Sequence, residues 1–398
     1  MGNASETSLF VSTISEEQDV LMGALYSIFF VLSLLGNSIL LFVAYRKRSS
    51  LKPAEFFIVN LSISDLGMTV TLFPLAIPSA FAHRWLFDDL TCLYYAFCGV
   101  LFGLCSLTNL TILSCVCCLK VCFPNYGNKF SPSHAHFLVV GAWCYASIFA
   151  VGPLAHWGHY SPEPYGTACC INWDAPKSEL SAMTYIICLF LFCYVVPCTI
   201  IFCSYAFILL TVRGSRQAVQ QHVSPQTKTA NAHTLIVKLS VAVCIGFLTA
   251  WSPYAVVAMW AAFSNFLLVP PFAFALAAIF AKSSTIFNPV VYLLFKPNFR
   301  KSLCRDGALF RRHLCSRVCG CGPCPTQKDS QRNNKDVSNS TRLSNGQPEC
   351  HGGACRHCAG AVPRFPVTPQ RTACILVGSS HSEVTVSQLS SKLQNDFL

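Results

Sequence analysis

Charge is what this chain has least of. Only 11% of its 398 residues are Asp, Glu, Lys or Arg, and just 17 are acidic. A soluble globular domain carries about a quarter of its residues charged, so a chain this poor in charge, with 53% hydrophobic residues, does not have the surface of an ordinary water-soluble globule. Lysine and arginine are also missing from residues 1–20, as is a short apolar core followed by a small-residue cleavage site, so no cleavable signal peptide is expected and the first apolar span must target the chain itself. The net charge of +11 is accounted for by basic inner loops and a basic tail, without nucleic acid as a partner.

Long apolar runs are present in their place. They cover 20–45, 55–79, 91–122, 136–156, 181–212, 234–262 and 267–294, each reaching or exceeding the ~20 residues that cross ~30 Å of hydrocarbon. The expected fold class is an all-α membrane protein, a bundle of seven transmembrane helices. Basic residues fix its orientation: Arg46, Lys47, Arg48 and Lys52 follow span one, Lys129 span three, Arg213, Arg216 and Lys228 span five, and Arg300, Lys301 and Arg305 span seven. Those loops face the cytoplasm. The N-terminus, 1–19, then lies outside the plasma membrane, with the glycosylation sequon Asn3-Ala4-Ser5. The bundle is expected over 20–296, an amphipathic eighth helix on the inner leaflet over 297–309, and a Cys/Ser-rich disordered cytoplasmic tail over 310–398.

One lysine stands out. Lys282 lies in the apolar stretch VPPFAFALAAIFAKSSTIFNPVVYLLF, and an amine at membrane depth costs a few kcal/mol that something must offset. Two partners would do so: a buried carboxylate in a structural ion pair, or an aldehyde that condenses with the amine as a Schiff base. Prolines at 74, 153, 197, 253 and 289 interrupt the spans, which suits kinked helices around a cavity. Asn37, Asp65, Asn109 and Asn288 are the polar residues within spans, expected to join in one hydrogen-bonded cluster or to glue helix pairs separately.

The 24 cysteines sort by compartment. Most lie in spans or in the tail; Cys92 and the pair Cys169-Cys170 are on the oxidising side, so one bridge from Cys92 to that pair is expected. Cys304 and Cys315, beside basic residues, are palmitoylation candidates. The looser run Cys319, Cys321, Cys324 and Cys350-His351 to Cys358 has zinc-ligand chemistry without zinc-site spacing, and no metal is expected.

Gly36-Asn37, Asn60-Leu61 with Asp65, Trp143, Trp251-x-Pro253-Tyr254 and Asn288-Pro289-xx-Tyr292 together resemble the rhodopsin-like class of G-protein-coupled receptors, over roughly 20–305. Lys282, six residues before Asn288, is similar to the retinal-attachment lysine of opsins. His83-Arg84-Trp85, Glu163-Pro164-Tyr165-Gly166-Thr167 and the stretch 250–257 look most like the neuropsin, or opsin-5-like, group. The resemblance implies retinal, 11-cis or all-trans, bound to Lys282 as a Schiff base. It implies a Cys92–Cys169 disulfide and a pocket wall of Trp251, Phe247, Tyr254 and Gly103, whose aromatic rings and glycine suit a flat polyene. Tyr95 stands where vertebrate visual opsins carry a span-three glutamate counterion, and Glu163, six residues before Cys169, matches the alternative counterion of other opsins. Asp65, Pro253, Asn288, Pro289 and Tyr292 match the positions that relay helix movement.

The chain also departs from the family. Phe73 replaces a lysine usual in neuropsins, and the Asp/Glu-Arg-Tyr triplet at the inner end of span three is Val116-Cys117-Cys118, with His233 at its span-six partner position. Cys170 follows the disulfide cysteine where relatives have threonine, which puts a nucleophile over the polyene and allows thiol addition after illumination. The resemblance thus implies a light receptor rather than an enzyme, signalling to a heterotrimeric G protein, with arrestin and a receptor kinase acting at tail sites such as Ser379, Ser380 and Ser382. Its alternative is a retinal photoisomerase or retinal-binding opsin with little G-protein coupling.

Overall fold

The computed structural model describes residues 10–46, 48–51, 53–221, 242, 245–246, 249–264 and 268–295. All of them fall in one unit of the chain, Met1–Ala308 with Ser387–Leu398. The architecture is helical: α1 Glu16–Arg46, α2 Pro53–Phe81, α3 Asp89–Cys122, a single turn α4 Pro124–Gly127, α5 Pro132–Val151, α6 Leu180–Phe190, α7 Val196–Gln221, α8 at 249–263, and α9 Pro271–Phe295. A π-turn, Leu191–Val195, runs α6 into α7 without a break. That five-residue widening comes just before Pro197, where the ring clashes with the regular helical ladder, and such insertions are a recognised source of kinks.

Among the described residues, six segments are long and apolar enough to cross a bilayer: Glu16–Arg46, Glu55–Phe81, Asp89–Cys122, Pro132–Ala155, Leu180–Gly214 and Pro271–Val291. They coincide with six of the seven apolar runs. The remaining run, 234–262, is helical at 242, 245–246 and 249–262, and its other residues lie outside the description. So do Lys47, Lys52, the segment 297–309, the tail, Asn3, Cys304, Cys315 and His233.

Local chemistry sets the helix ends. Asp88 caps α3, accepting from the Thr91 amide at 3.0 Å and from the Thr91 hydroxyl. Ser131 caps α5, with Pro132 in its first turn. Along α1 the usual distribution is inverted: Leu21, Ile28, Val31, Leu35 and Phe42 are exposed, whereas Ser33 and Asn37 are fully buried. An apolar exterior with polar groups turned inward fits a hydrocarbon solvent. α3 is the central strut, packing on α2, α5 and α7. α1 packs on both α2 and α9. Where α1 crosses α9, a Cβ on Gly36 would come 2.8 Å from Pro289 Cβ, so only glycine permits the approach.

The outer end is closed by a hairpin. β1, Tyr160–Pro162, pairs antiparallel with β2, Cys169–Ile171, in the register Tyr160↔Ile171, Ser161↔Cys170 and Pro162↔Cys169. The connecting loop turns at Gly166, with φ +84 and the Val11 carbonyl oxygen 2.2 Å from where a Cβ would sit. Over it lies the N-terminal segment: Trp85 N donates to Phe10 O (2.9 Å), Ser12 N to His83 O (3.1 Å) and the Thr13 hydroxyl to Pro164 O (2.7 Å). A Cys92–Cys169 disulfide, Cα–Cα 5.5 Å, ties the hairpin to the top of α3, joining the two cysteines that the resemblance implies.

The buried polar residues gather around two centres, Asp65 and Asn60, which Asn60 donating to Cys105 Sγ (3.9 Å) and Ser106 donating to Ser64 (3.0 Å) bring next to each other. Around the first, Asn288 Nδ2 donates to Asp65 Oδ2 (2.8 Å), Ser106 donates to Asp65 Oδ1 (3.2 Å), and Thr69, bonded to the Asp65 carbonyl (2.6 Å), meets Ser33 (2.7 Å). Asn37 joins it by donating to the Ser33 and Thr285 carbonyls at 3.1 and 3.0 Å. Asn109 belongs elsewhere. It accepts from Asn60 (3.1 Å) and donates to Phe57 O (2.6 Å), while Trp143 donates to Asn60 Oδ1 (2.8 Å). Asn109 lies almost one helical turn below Ser106, too far along α3 to share Asp65 as a partner.

Candidate functional site

Below the hairpin and between α3, α6, α8 and α9 runs a slot, and most of its walls are apolar. Met68 and Leu72 come from α2, Gly99, Gly103, Leu104 and Leu107 from α3, Leu189 and Phe190 from α6, Trp251, Tyr254, Ala255 and Ala258 from α8, and Ala278, Ala281 and Lys282 from α9. Its volume is about 170 Å³, counting only positions open to the centre of a water molecule. One water needs ~10–15 Å³ on that measure, so the slot takes a substantial organic molecule. Four alanines on α8 and α9 leave one wall shallow. Opposite, Trp251 lies flush against Gly103, whose missing side chain makes the room: a Cβ there would sit 2.8 Å from Trp251 Cη2.

Lys282 lines this slot and is only 9% exposed. Its Nζ lies 5.3 Å from the centre of the Tyr26 ring and 5.8 Å from that of Tyr95. None of the ion pairs within 4.0 Å among the described residues includes it, so a structural salt bridge, the bland explanation for a membrane lysine, is not formed there.

The acid that answers it is Glu163. The hairpin loop carries this residue down into the slot, 4% exposed, held by its amide donating to Ala168 O at 2.8 Å. Tyr254 donates its hydroxyl to Glu163 Oε1 at 3.0 Å. Oε2 is buried without a hydrogen bond among the described residues. Burial pushes the Glu163 carboxyl above the ordinary carboxylate range, against the opposing pull of the Lys282 amine, the Cys170 thiol and the Tyr254 hydroxyl. Beside it, Cys170 donates to the Ile171 carbonyl at 3.1 Å. Burial, and then the Glu163 charge, hold that thiol well above its ordinary pKa, so it is protonated at neutral pH.

Lys282, Glu163, Tyr95, Gly103, Cys170, Trp251 and Tyr254, singled out in separate parts of the sequence, therefore meet around one slot. Phe247 and the side chain of Tyr292 lie outside the described residues. Phe73 does not line the slot; it is fully buried, edge-on to Tyr26 at 5.8 Å. Tyr26, Tyr165 and Trp173 had no signal in the sequence, since a tyrosine at the outer end of span one or in a loop looks like any other until the hairpin folds inward. At the other end of α3, Val116 is buried against Phe57 and Ala135. Cys118 Sγ meets Cys122 Sγ at 3.9 Å, and Thr211 donates to Cys122 at 3.2 Å. The inner end of α3 thus presents thiols where the family pattern has a guanidinium.

A long apolar slot ending at an amine, with one buried carboxylate and aromatic walls, has the chemistry to hold a flat apolar aldehyde and a charge at its point of attachment. Residues 36–292 match the family described as 7 transmembrane receptor (rhodopsin family). The chain is 35% identical to Opsin-5 of Mus musculus over 303 residues, 75% of this chain and 79% of that protein. It is 33% identical to Opsin-5 of Homo sapiens over 303 residues, covering 75% and 84%. Among solved structures it is similar to squid rhodopsin, with a TM-score of 0.68 and 27% identity over 75% of this chain and 87% of that one. The chain belongs to the rhodopsin family of seven-transmembrane receptors, as an opsin-5-like member of it.

Proposed function

We propose that this opsin is a light-sensing receptor that carries retinal as a Schiff base on Lys282 and signals to a heterotrimeric G protein from the plasma membrane, with its N-terminus outside. The observation that carries the reading is that Lys282 and Glu163, both buried, line one apolar slot. Retinal, when bound, supplies the light-driven change of shape. The chain's own residues do the rest. Glu163, tied by Tyr254, provides a negative charge where a cation on nitrogen would otherwise be desolvated and unpaired. Trp251, pressed on Gly103, occupies the wall that a changed ligand shape must push, two residues before Pro253 in α8. Asn288, held by Asp65 beside Pro289, links α9 to the same core. Arrestin and a receptor kinase would then read the tail.

A second reading has one observation in its favour. With Val116 buried and thiols at Cys117 and Cys118, the inner end of α3 does not carry the arginine through which the family engages its G protein, which suits an opsin that photoisomerises retinal and couples weakly. Cys170 belongs to the question as well, because its protonated thiol must lose its proton before it can act as a nucleophile. The deciding experiment measures nucleotide exchange on G proteins, in light and dark, with the protein reconstituted with 11-cis-retinal. Light-dependent exchange supports the receptor. Isomer conversion without exchange supports the photoisomerase, and a Cys170→Ser variant with an unchanged photocycle removes the thiol from the mechanism.

A further inference from the structure

The lysine nitrogen has company besides its carboxylate. Tyr26 reaches it from α1 and Tyr95 from α3, with ring centres 5.3 and 5.8 Å from Nζ. Both lie inside the ~6 Å within which an aromatic face attracts a cation, and the attraction grows when water is excluded. The two rings are 1% and 2% exposed. Each is braced edge-on by another ring, Tyr26 by Phe73 at 5.8 Å and Tyr95 by Trp85 at 5.4 Å. α1 is pinned to α9 nearby by Asn37 donating to the Thr285 carbonyl (3.0 Å).

We propose that Tyr26 and Tyr95 form an aromatic clamp that holds positive charge on the Lys282 nitrogen through their ring faces, with Tyr26 a positioning residue supplied by the first helix. Glu163, its Oε1 engaged by Tyr254, shares that task as the carboxylate of the slot. The other titratable groups near Lys282 are few. Glu163, Cys170 and Tyr165 come from the hairpin, and Tyr254 from α8. On α1, Asp19 is occupied by His83 at 2.5 Å, and on α2, Asp65 by Asn288 and Ser106. The two π faces lie beside the nitrogen together with Glu163 and Cys170. Nζ lies over both rings, so the faces, rather than the phenol oxygens, are what these residues offer the amine.

The clamp deepens the proposed function but is a property of the amino acids alone, so the test begins without retinal. The full-length protein is reductively methylated with ¹³C-formaldehyde, and the dimethyl-Lys282 resonance, assigned by its loss in Lys282→Arg, is titrated with pH in the wild type, Tyr26→Phe and Tyr26→Leu. Tyr26→Phe keeps the ring and should hold the midpoint, whereas Tyr26→Leu should lower it by about one pH unit, the value of a desolvated cation–π contact. An unchanged midpoint in Tyr26→Leu overturns the clamp, and so does a Tyr26→Phe midpoint that falls as far, because the hydroxyl would then be responsible. If Tyr26→Leu fails to fold, Tyr95→Leu against Tyr95→Phe decides the same point. The pH at which the absorption band of protein loaded with 11-cis-retinal disappears should follow the same order. Failure to form any band with 11-cis- or all-trans-retinal would sink the proposed function and leave the methyl-lysine titration to judge the clamp.

Discussion

Gly103→Ala adds one methyl group at the floor of the slot, and its effect follows from one distance. The new Cβ would stand 2.8 Å from Trp251 Cη2 and 3.5 Å from Cζ2, where ordinary contact begins near 3.4 Å, a shortfall of about 0.6 Å. Met68 Cε, at 3.6 Å, closes the other side, so the indole must give way. Trp251 lines the slot, and its retreat takes volume from the ligand's space. Overpacking of this kind costs ~1–3 kcal/mol, and if ligand entry has to bear that cost because the indole is pushed into its space, affinity falls by ~5- to 150-fold. The assay is equilibrium binding of 11-cis-retinal, followed through quenching of tryptophan fluorescence and the absorption maximum. Gly99→Ala is the internal control: it lines the same slot, but its Cβ would meet only Leu72 Cδ1, at 3.8 Å. Wild-type affinity and absorption maximum in Gly103→Ala, or an equal loss in both variants, would refute the close packing of Trp251 on Gly103 as the feature that sizes the slot.

Three further outcomes follow. Because burial raises the Glu163 carboxyl above its unfolded value of ~4.3, the folded state binds more protons between the two values, and stability must fall as pH rises through that window; the thermal midpoint of retinal-free protein should decline from pH 4 upward, and Glu163→Gln should flatten the decline. Cys169→Ser opens a bridge that spans 77 residues and should cost ~2–5 kcal/mol, read as a lower thermal midpoint under non-reducing conditions that reductant no longer changes. Asp65→Ala leaves the Asn288 amide without its acceptor, whereas the Ser106 hydroxyl keeps Ser64; a buried donor so stranded costs ~1–3 kcal/mol, again measurable as a lower midpoint.

How much of this could be read in the sequence depends on the range of the interaction. Apolar runs are a local property, and all six spans of the described residues fall on them, because hydrocarbon rewards continuous apolar length irrespective of tertiary contacts. Lys282 was legible for the same reason, an amine conspicuous against an apolar background. Glu163 was legible only through its spacing from Cys169. Nothing local distinguishes a loop carboxylate that folds inward from one in solvent, and its burial comes from the hairpin register and the N-terminal segment laid over Gly166. Tyr26 could not be found, since its role arises where α1 meets α9, some 256 residues apart in the sequence. Of the two arrangements expected for the buried polar residues, Asn109 takes a local one by pairing with Asn60, which also accepts from Trp143, partners that helix rotation selects and periodicity does not reveal.

The central claim is that the Lys282 amine is where the ligand of this slot is fixed. The most direct test is to incubate the protein with 11-cis-retinal, reduce it with borohydride, digest it, and weigh the peptide that carries Lys282. The account predicts a retinyl mass on that peptide, a light-sensitive absorption band before reduction, and neither in Lys282→Ala. A retinyl mass on another lysine, or a light-sensitive band that survives in Lys282→Ala, would contradict it.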